Sequence, residues 1–459
     1  MLTVGLYANQ KVGVLGLGKS GLSAARALRD GGAEVIAWDD GAAAREKAEK
    51  AGFKLTDLSA DDAPSITVLV LSPGIPHTHP APHPAVSRAR AAGVPIIGDV
   101  DLLARSQAGA GFIGITGTNG KSTTTALLGH ILKGAGLNVE VGGNLGTPVL
   151  DLEPLGKGGH YLLEMSSYQL ELAPTAVFSV AVLTNITPDH LSRHGGMEGY
   201  IAAKKEIFTH QTPEKLAVIG VDDAPSMAIY DDMKARRQCR LVPISGCRHV
   251  PGGVYVESGW LVDDRQGRRQ PLMTLDKAKA LPGAHNAQNA AAATAAALGL
   301  DVPVADILEG LRTFPGLAHR QERIAERDGV LFVNDSKATN AEAATKALSS
   351  YDAIHWIIGG RPKEDGLTGV EPYLGRVVRA YAIGEAEEAF GTFLKPHVPV
   401  DPCGTLERAL AAAWANARKT GGVVLLAPAC ASFDQFKSFE HRGDAFRAAV
   451  ENLLAEVSA

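Results

Sequence analysis

Thr116-Gly117-Thr118-Asn119-Gly120-Lys121-Ser122-Thr123-Thr124-Thr125 follows the apolar run Phe112–Ile115 and precedes a helical stretch. A strand, a glycine-rich turn and a helix in that order form a phosphate cradle. Successive backbone N–H groups can wrap a β-phosphate, Lys121 can reach the β/γ oxygens, and Ser122 can ligate Mg²⁺. The strict GxxxxGK[ST] pattern asks for glycine at position 115, where the chain has Ile115 between Gly114 and Gly117. The remaining Gly-Lys-Ser in this setting still points to ATP, against the alternative of a turn that only packs a helix.

Toward the N-terminus lies a second glycine turn. Val12–Leu15 reads as a strand, then comes Gly16-Leu-Gly18-Lys19-Ser20-Gly21, then a helical stretch Leu22–Asp30. A second strand, Glu34–Trp38, ends at Asp39, eighteen residues past Gly21; a third, Thr67–Leu71, runs into Ser72-Pro73-Gly74. The pattern fits GxGxxG with an acidic residue for a ribose hydroxyl, a geometry that suits any nucleotide diphosphate. Toward the C-terminus, Tyr161–Met165 and Ala176–Thr184 read as strands, Gly253–Asp264 as a hairpin or meander, and Asn289–Leu298 as a packed alanine-rich helix. A third block has strands at Val330–Val333, Ile354–Ile358, Ala380–Ile383 and Val423–Leu426, with a helix over Thr405–Lys419. The whole reads as three successive α/β units with parallel sheets, spanning 1–100, 101–315 and 316–459.

Composition agrees. At 459 residues the chain exceeds one ordinary core. Its net charge of −5 disfavours nucleic acid as a partner. Its four cysteines form no CxxC pair or zinc spacing and read as free thiols of a reducing compartment. No signal-like start and no apolar run long enough for a bilayer is evident, so the expectation is a cytoplasmic protein without membrane insertion. A monomer is expected as well.

Polar residues at strand ends carry the chemistry in parallel sheets. Glu164 opens Glu164-Met-Ser-Ser-Tyr-Gln-Leu-Glu171, and His190 closes Asn185-Ile-Thr-Pro-Asp-His190; both are candidates for Mg²⁺. Lys204 and Lys205 follow on a helix, where a solvated face is the plain alternative. The third block adds His319-Arg320, Asn334–Asn340, Gly359–Lys363 and Ser432–Phe439; Arg320, Lys337 and Lys363 could together hold anionic groups. His77, His79 and His83 imitate a metal spacing but are expected on an exposed proline-rich loop.

In these strings, with Gly143-Asn144-Leu-Gly, His285-Asn286-Ala-Gln-Asn289 and Ala427–Phe436, the chain resembles the Mur ligase family over nearly its whole length. The Glu-x-Ser-Ser-x-Gln-Leu-Glu, Asp-Ser-Lys-Ala-Thr-Asn and Pro-Ala-Cys-Ala-Ser-x-Asp-Gln-Phe strings resemble the branch that adds D-glutamate. The resemblance implies three domains: a Rossmann-like N-terminal domain, a central P-loop ATPase-like domain and a Rossmann-like C-terminal domain. The implied reaction is ATP-dependent addition of D-glutamate to UDP-N-acetylmuramoyl-L-alanine, through an acyl phosphate, in peptidoglycan precursor synthesis.

The implied roles follow residue by residue. Gly16, Gly18, Lys19, Ser20, Gly21, Asp39, Asp40, Ser72 and Gly74 would line the UDP-sugar site, so that GxGxxG serves uridine diphosphate and not NAD. Asp40 stands where some relatives carry a hydroxyl. Gly117, Thr118, Asn119, Gly120, Lys121, Ser122, Thr123 and Thr124 would bind ATP, joined by Asn286, Asn289, Arg320, Asp335 and Lys337. Ser122, Glu164, His190 and Lys204, the last as a carbamate, would hold two Mg²⁺ ions. Asn144 and His190 would face the muramoyl-alanine carboxylate, and Lys121, His190, Lys204 and Asn144 would be the catalytic set. Lys337, Thr339, Lys363, Ser432 and Phe439 would form the D-glutamate pocket. The alternatives are another amide-forming relative, a dinucleotide oxidoreductase built on Gly16–Gly21, and a non-catalytic nucleotide switch.

Overall fold

The computed structural model describes residues 2–144, 146–363 and 366–456. They form two compact units, Met1–Thr274 with Ala287–Leu311, and Leu275–Asn286 with Arg312–Ala459. Among the described residues there are three sheets.

The first sheet contains β1 (Lys11–Leu15), β2 (Glu34–Trp38), β3 (Val68–Leu71) and β4 (Ile96–Ile97), all parallel in the order β2-β1-β3-β4. Its register sets Leu15 beside Trp38 and Leu71, so Gly16, Asp39 and Ser72 leave one sheet edge together.

The second sheet runs β5 (Gly111–Thr116), β6 (Val139–Gly143), β7 (His160–Glu164), β8 (Val180–Leu183), β9 (Leu216–Gly220), β10 (Arg240–Ser245), β11 (Val254–Glu257), β12 (Trp260–Asp263) and β13 (Gln270–Thr274) in chain order. Its spatial order is β13-β12-β11-β10-β9-β8-β5-β7-β6. The first six are parallel, and β11 joins them before β12 and β13 turn back antiparallel. Of the two readings of Gly253–Asp264 and the segment after it, hairpin or meander, the structure has the meander, with β13 as its third strand. The strand expected over Ala176–Thr184 is also shorter. Phe178 packs where a Cβ on Gly114 would meet it at 2.7 Å; Ala176 and Phe178 are apolar because they are buried outside the ladder, while Val177 between them is exposed.

The third sheet holds β14 (Glu322–Arg327), β15 (Val330–Asn334), β16 (Ile354–Gly359), β17 (Val377–Ile383), β18 (Val400–Gly404) and β19 (Gly422–Leu426), ordered β14-β15-β19-β16-β17-β18. Neighbours along its strands face opposite cores. Val333, Trp356 and Leu425 pack on one side, and Phe332, Ile357 and Leu426 on the other. A strand covered on both faces needs apolar residues at successive positions, which is why β15 and β19 read as unbroken apolar runs.

Candidate active site

The turn after β5 opens the helix Lys121–Gly134, with Gly120 as a left-handed N-cap. A Cβ on Gly120 would lie 2.1 Å from Asn289 Oδ1, so only glycine lets Asn289 stand against the loop. Thr124 donates to the same oxygen at 3.3 Å. Thr118 N donates to the Asn185 carbonyl, Asn119 N donates to Asn185 Oδ1 at 2.9 Å, and Thr184 Oγ1 donates to the Asn119 carbonyl at 2.7 Å. The segment after β8 therefore splints the loop. Lys121 Nζ donates to the carbonyls of Gly117 and Thr118, both at 2.8 Å. Ser122 is buried and Thr123 half-buried.

Two lysines on the helix Met197–Lys205 part company. Lys204 is 1% exposed and its Nζ donates to the Gly117 carbonyl at 2.8 Å, whereas Lys205 Nζ turns to Asp232 at 2.6 Å. The solvated-face alternative thus fails for Lys204. Burial, then the nearby charge of Lys121, push the Lys204 ammonium down to about 7. Its Nζ sits 4.7 Å above the Tyr200 ring, whose hydroxyl is 3.0 Å from Thr118 Oγ1.

Parallel pairing of β5, β7 and β6 sets Glu164 beside Ile115 and Gly143. Asn144 Nδ2 donates to Glu164 Oε1 at 2.7 Å. Glu164 Oε2 is buried without a hydrogen-bond partner among the described residues. A buried carboxylate oxygen left open is a hard anionic donor, so Glu164 fits a divalent cation such as Mg²⁺. An unmodified Lys204 ammonium does not fit as a ligand. His190 is exposed, with φ of 51°, and its Nε2 is 3.5 Å from Asp189.

At the first sheet, Asp39 closes on the protein itself. Its Oδ2 accepts from Leu17 N at 2.6 Å and its Oδ1 from Gly41 N at 2.7 Å. A Cβ on Gly21 would be 1.7 Å from the Gly16 carbonyl, while around Gly18 nothing lies within 4 Å. Ser72 Oγ donates to the Gly16 carbonyl at 2.8 Å, and Ser20 bonds the buried Asp99. Lys19, Asp40 and Gly74 are exposed, Asp40 at 3.0 Å from His83 Nε2. The histidine loop corrects its expectation in part: His79 is exposed, but His77 is buried, 3.7 Å from Glu171, and burial holds it down at about 4.

The second unit gathers its strings at the edge where Asn334 pairs with Leu426. Asp335 is buried and accepts from Gln321 N at 3.2 Å; burial lifts its carboxyl to about 7. Lys337 Nζ stands 3.9 Å over the Phe439 ring, and its N–H donates to the His319 carbonyl at 3.0 Å. Arg320 and Lys363 are exposed, Thr339 half-buried and Ser432 buried. Asn286 donates to the Pro282 carbonyl at 2.7 Å, on a helix that runs His285–Gly299, longer than the expected 289–298.

The comparisons with known proteins can be set beside this geometry. The profile of the Mur ligase MurD-like N-terminal domain matches residues 10–98, that of the Mur ligase middle domain 115–297, and that of the Mur ligase glutamate ligase domain 319–430. A UDP-N-acetylmuramoylalanine–D-glutamate ligase from Rhodospirillum rubrum is 53% identical over 456 residues, 97% of this chain and 95% of that one. The chain belongs to the Mur ligase family. Ligases of the same name from Paramagnetospirillum magneticum (50% identical, 98% of each chain) and Caulobacter vibrioides (49%, 99% and 98%) are similar to it as well. Two solved structures share the fold. They are a UDP-N-acetylmuramate–alanine ligase from Thermotoga maritima (TM-score 0.56, 17% identical, 98% of this chain and 100% of that one) and a pseudomurein peptide ligase type C from Methanothermus fervidus (0.54, 19%, 97% and 100%).

Arg442 escaped the sequence reading of this Mur ligase. It is 1% exposed, and its guanidinium donates to Ser336 Oγ (3.0 Å), the Ser336 carbonyl (2.9 Å) and the Cys430 carbonyl (3.1 Å). It ties Asn334–Asn340 to Ala427–Phe436. Tyr200 was also missed; its place four residues before Lys204 on one helix is the signal that could have found it.

Proposed function

We propose that the chain forms the amide bond between the carboxylate of UDP-N-acetylmuramoyl-L-alanine and the amine of D-glutamate, with ATP, in peptidoglycan precursor synthesis. The observation that carries this reading is its likeness, at about half identity over nearly both full lengths, to ligases bearing that name. We take the units as 1–100 for the UDP sugar, 101–315 for ATP and 316–459 for the amino acid. The free thiols and the ATP dependence support a cytoplasmic setting.

The muramoyl-alanine carboxylate attacks the ATP γ-phosphorus and ADP leaves, giving an acyl phosphate. The D-glutamate nitrogen then attacks the acyl carbon, the tetrahedral adduct expels phosphate, and the amine proton is lost. Lys121 stabilises charge on the transferring phosphoryl group. Gly117 to Thr124, Asn286, Asn289, Arg320, Asp335 and Lys337 bind ATP. Asn144 and His190 orient the acceptor carboxylate. Ser122, Glu164, His190 and a carbamylated Lys204 would hold Mg²⁺, which neutralises phosphate charge when bound. A lysine amine titrating near 7 supplies the neutral form that adds CO₂, giving N–COO⁻ and releasing a proton. Lys337, Thr339, Lys363, Ser432 and Phe439 take D-glutamate, and the turn at Gly16–Gly21 with Asp39, Asp40, Ser72 and Gly74 takes the UDP sugar.

The test is phosphate release from ATP. It should require UDP-N-acetylmuramoyl-L-alanine and D-glutamate together, and L-glutamate or D-alanine should fail, because a pocket built for two carboxylates of one hand leaves charges unpaired with the wrong ligand. Comparable release with L-alanine or diaminopimelate would overturn the assignment.

A further inference from the structure

We propose that Arg193 is a positioning residue through which the loop following β3 sets the place of His190. His190 begins a helix of four residues, Leu191–His194, bounded by left-handed backbone at His190 (φ 51°) and Gly195 (φ 69°). A single turn cannot sustain itself, because it fixes several dihedrals for one hydrogen bond. A left-handed non-glycine residue is strained besides, and persists only where its surroundings over-determine it. Something outside the turn must therefore hold it.

Two side chains do so. Arg193 NH1 donates to the His79 carbonyl at 2.8 Å, and NH2 to the carbonyls of Pro73 and Ile75, both at 3.2 Å. These carbonyls belong to the loop that begins at Ser72, and the planar guanidinium fork reaches all three at once. The guanidinium also lies 4.8 Å over the Tyr168 ring, which is 5.4 Å from the His190 ring. His194 also stacks on Tyr168, at 5.2 Å, and its Nε2 is 2.9 Å from Ser167 Oγ. The turn touches the loop again where a Cβ on Gly195 would meet His79 Nε2 at 2.7 Å. His194 anchors the turn to its own domain. Arg193 hydrogen-bonds it to the loop carrying Ser72 and Gly74, and its N–H closes the turn on the His190 carbonyl at 3.0 Å.

The inference rests on reading that loop as part of the UDP-sugar site and His190 as facing the acceptor. A double-mutant cycle in the full chain tests it, with Arg193→Ala, His190→Ala and the pair. Arg193→Ala should lower kcat about 10- to 100-fold, as misplacement of a reacting group does. Its KM for D-glutamate should stay within about twofold, because the pocket for that substrate is untouched. The pair should lose no more than His190→Ala alone, and methylguanidinium should restore part of the kcat of Arg193→Ala but none in the pair. If Arg193→Ala unfolds, Arg193→Lys carries the same cycle, since one ammonium cannot replace the fork. Additive losses, or an Arg193→Ala enzyme turning over within about twofold of the parent, overturn the inference. Calorimetry with UDP-N-acetylmuramoyl-L-alanine separates the two readings. A parent chain that neither binds it nor releases phosphate sinks the proposed function and this inference with it. A parent that does both while the cycle is additive sinks this inference alone.

Discussion

The turn at Gly16–Gly21 and the turn at Gly117–Ser122 each join a parallel strand to a helix, yet the side chains that hold them carry opposite charge. In the first, the Asp39 carboxylate takes the Leu17 N–H at 2.6 Å. In the second, the ammonium groups of Lys121 and Lys204 meet on the Gly117 carbonyl, each at 2.8 Å. Glycine spacing alone does not distinguish them. What a glycine loop can accept depends on the neighbours that reach it. A loop with one N–H already bound to an internal carboxylate has one donor fewer for a phosphate, while a loop with a lysine at its mouth adds a cation to its N–H groups.

The sharpest way to break the contrast is Lys121→Ala. ATP-dependent turnover should fall about 10²- to 10³-fold, the cost of deleting one preorganised group aimed at developing charge. The thermal midpoint should stay close to the parent's. Near-normal turnover would remove the phosphate loop from the mechanism.

The pair Lys204 and Lys205 probes the same cluster at smaller scale. Lys204→Ala should cost about 10- to 100-fold in turnover and Lys205→Ala, which loses a half-exposed ion pair, only a few-fold. The pH dependence of stability is a second readout. The Lys204 amine titrates near 7 in the folded chain against 10.5 for an unperturbed lysine, so the folded state binds fewer protons between those values. The penalty of burying the cation is full below pH 7 and disappears as pH rises toward 10.5. In CO₂-free buffer, Lys204→Met should therefore be stabilised relative to the parent below about pH 7, and the gap should close at higher pH. A gap independent of pH would refute the burial account.

The first turn calls for the mildest test. Gly21→Ala places a methyl 1.7 Å from the Gly16 carbonyl, and should cost about 1–3 kcal/mol through forced backbone shifts. Gly18→Ala meets nothing within 4 Å, and its stability should change by no more than about 0.5 kcal/mol. Denaturant midpoints for the two compare them directly. Equal losses would mean that the turn is not set by close packing.

Much of the fold was legible because the central strands of both large sheets are buried on two faces. Val330–Asn334 and Gly422–Leu426 announce themselves as apolar runs. Strand β4 has two residues, and β18 carries Asp401, Pro402 and Cys403, so neither offers a pattern. The helix Ala224–Arg236 hides in the same way, spacing Ile229, Tyr230 and Met233 among charged residues. At the site, Lys121 and Ser122 could be read from the local turn. Lys204 stood out from Lys205 only by family resemblance, because a two-residue sequence cannot say which amine faces inward. Arg193 and Arg442 were invisible, since each acts on backbone carbonyls distant in sequence, and a carbonyl leaves no mark in the sequence.

The Cys430 carbonyl that accepts from Arg442 belongs to a residue whose own side chain is sealed in the core, with its thiol pushed by burial up to about 12. Thiolates, and not thiols, are what electrophiles consume. An acrylamide or maleimide designed to trap the segment beside Ser432 would find almost no nucleophile there at neutral pH. Cys247 is the exposed thiol, but its Sγ donates to Asp222 at 3.6 Å, and Asp222 accepts from Gln288, which in turn accepts from Asn185 beside the second glycine turn, so a dye or spin label placed there would report on that turn instead of sparing it.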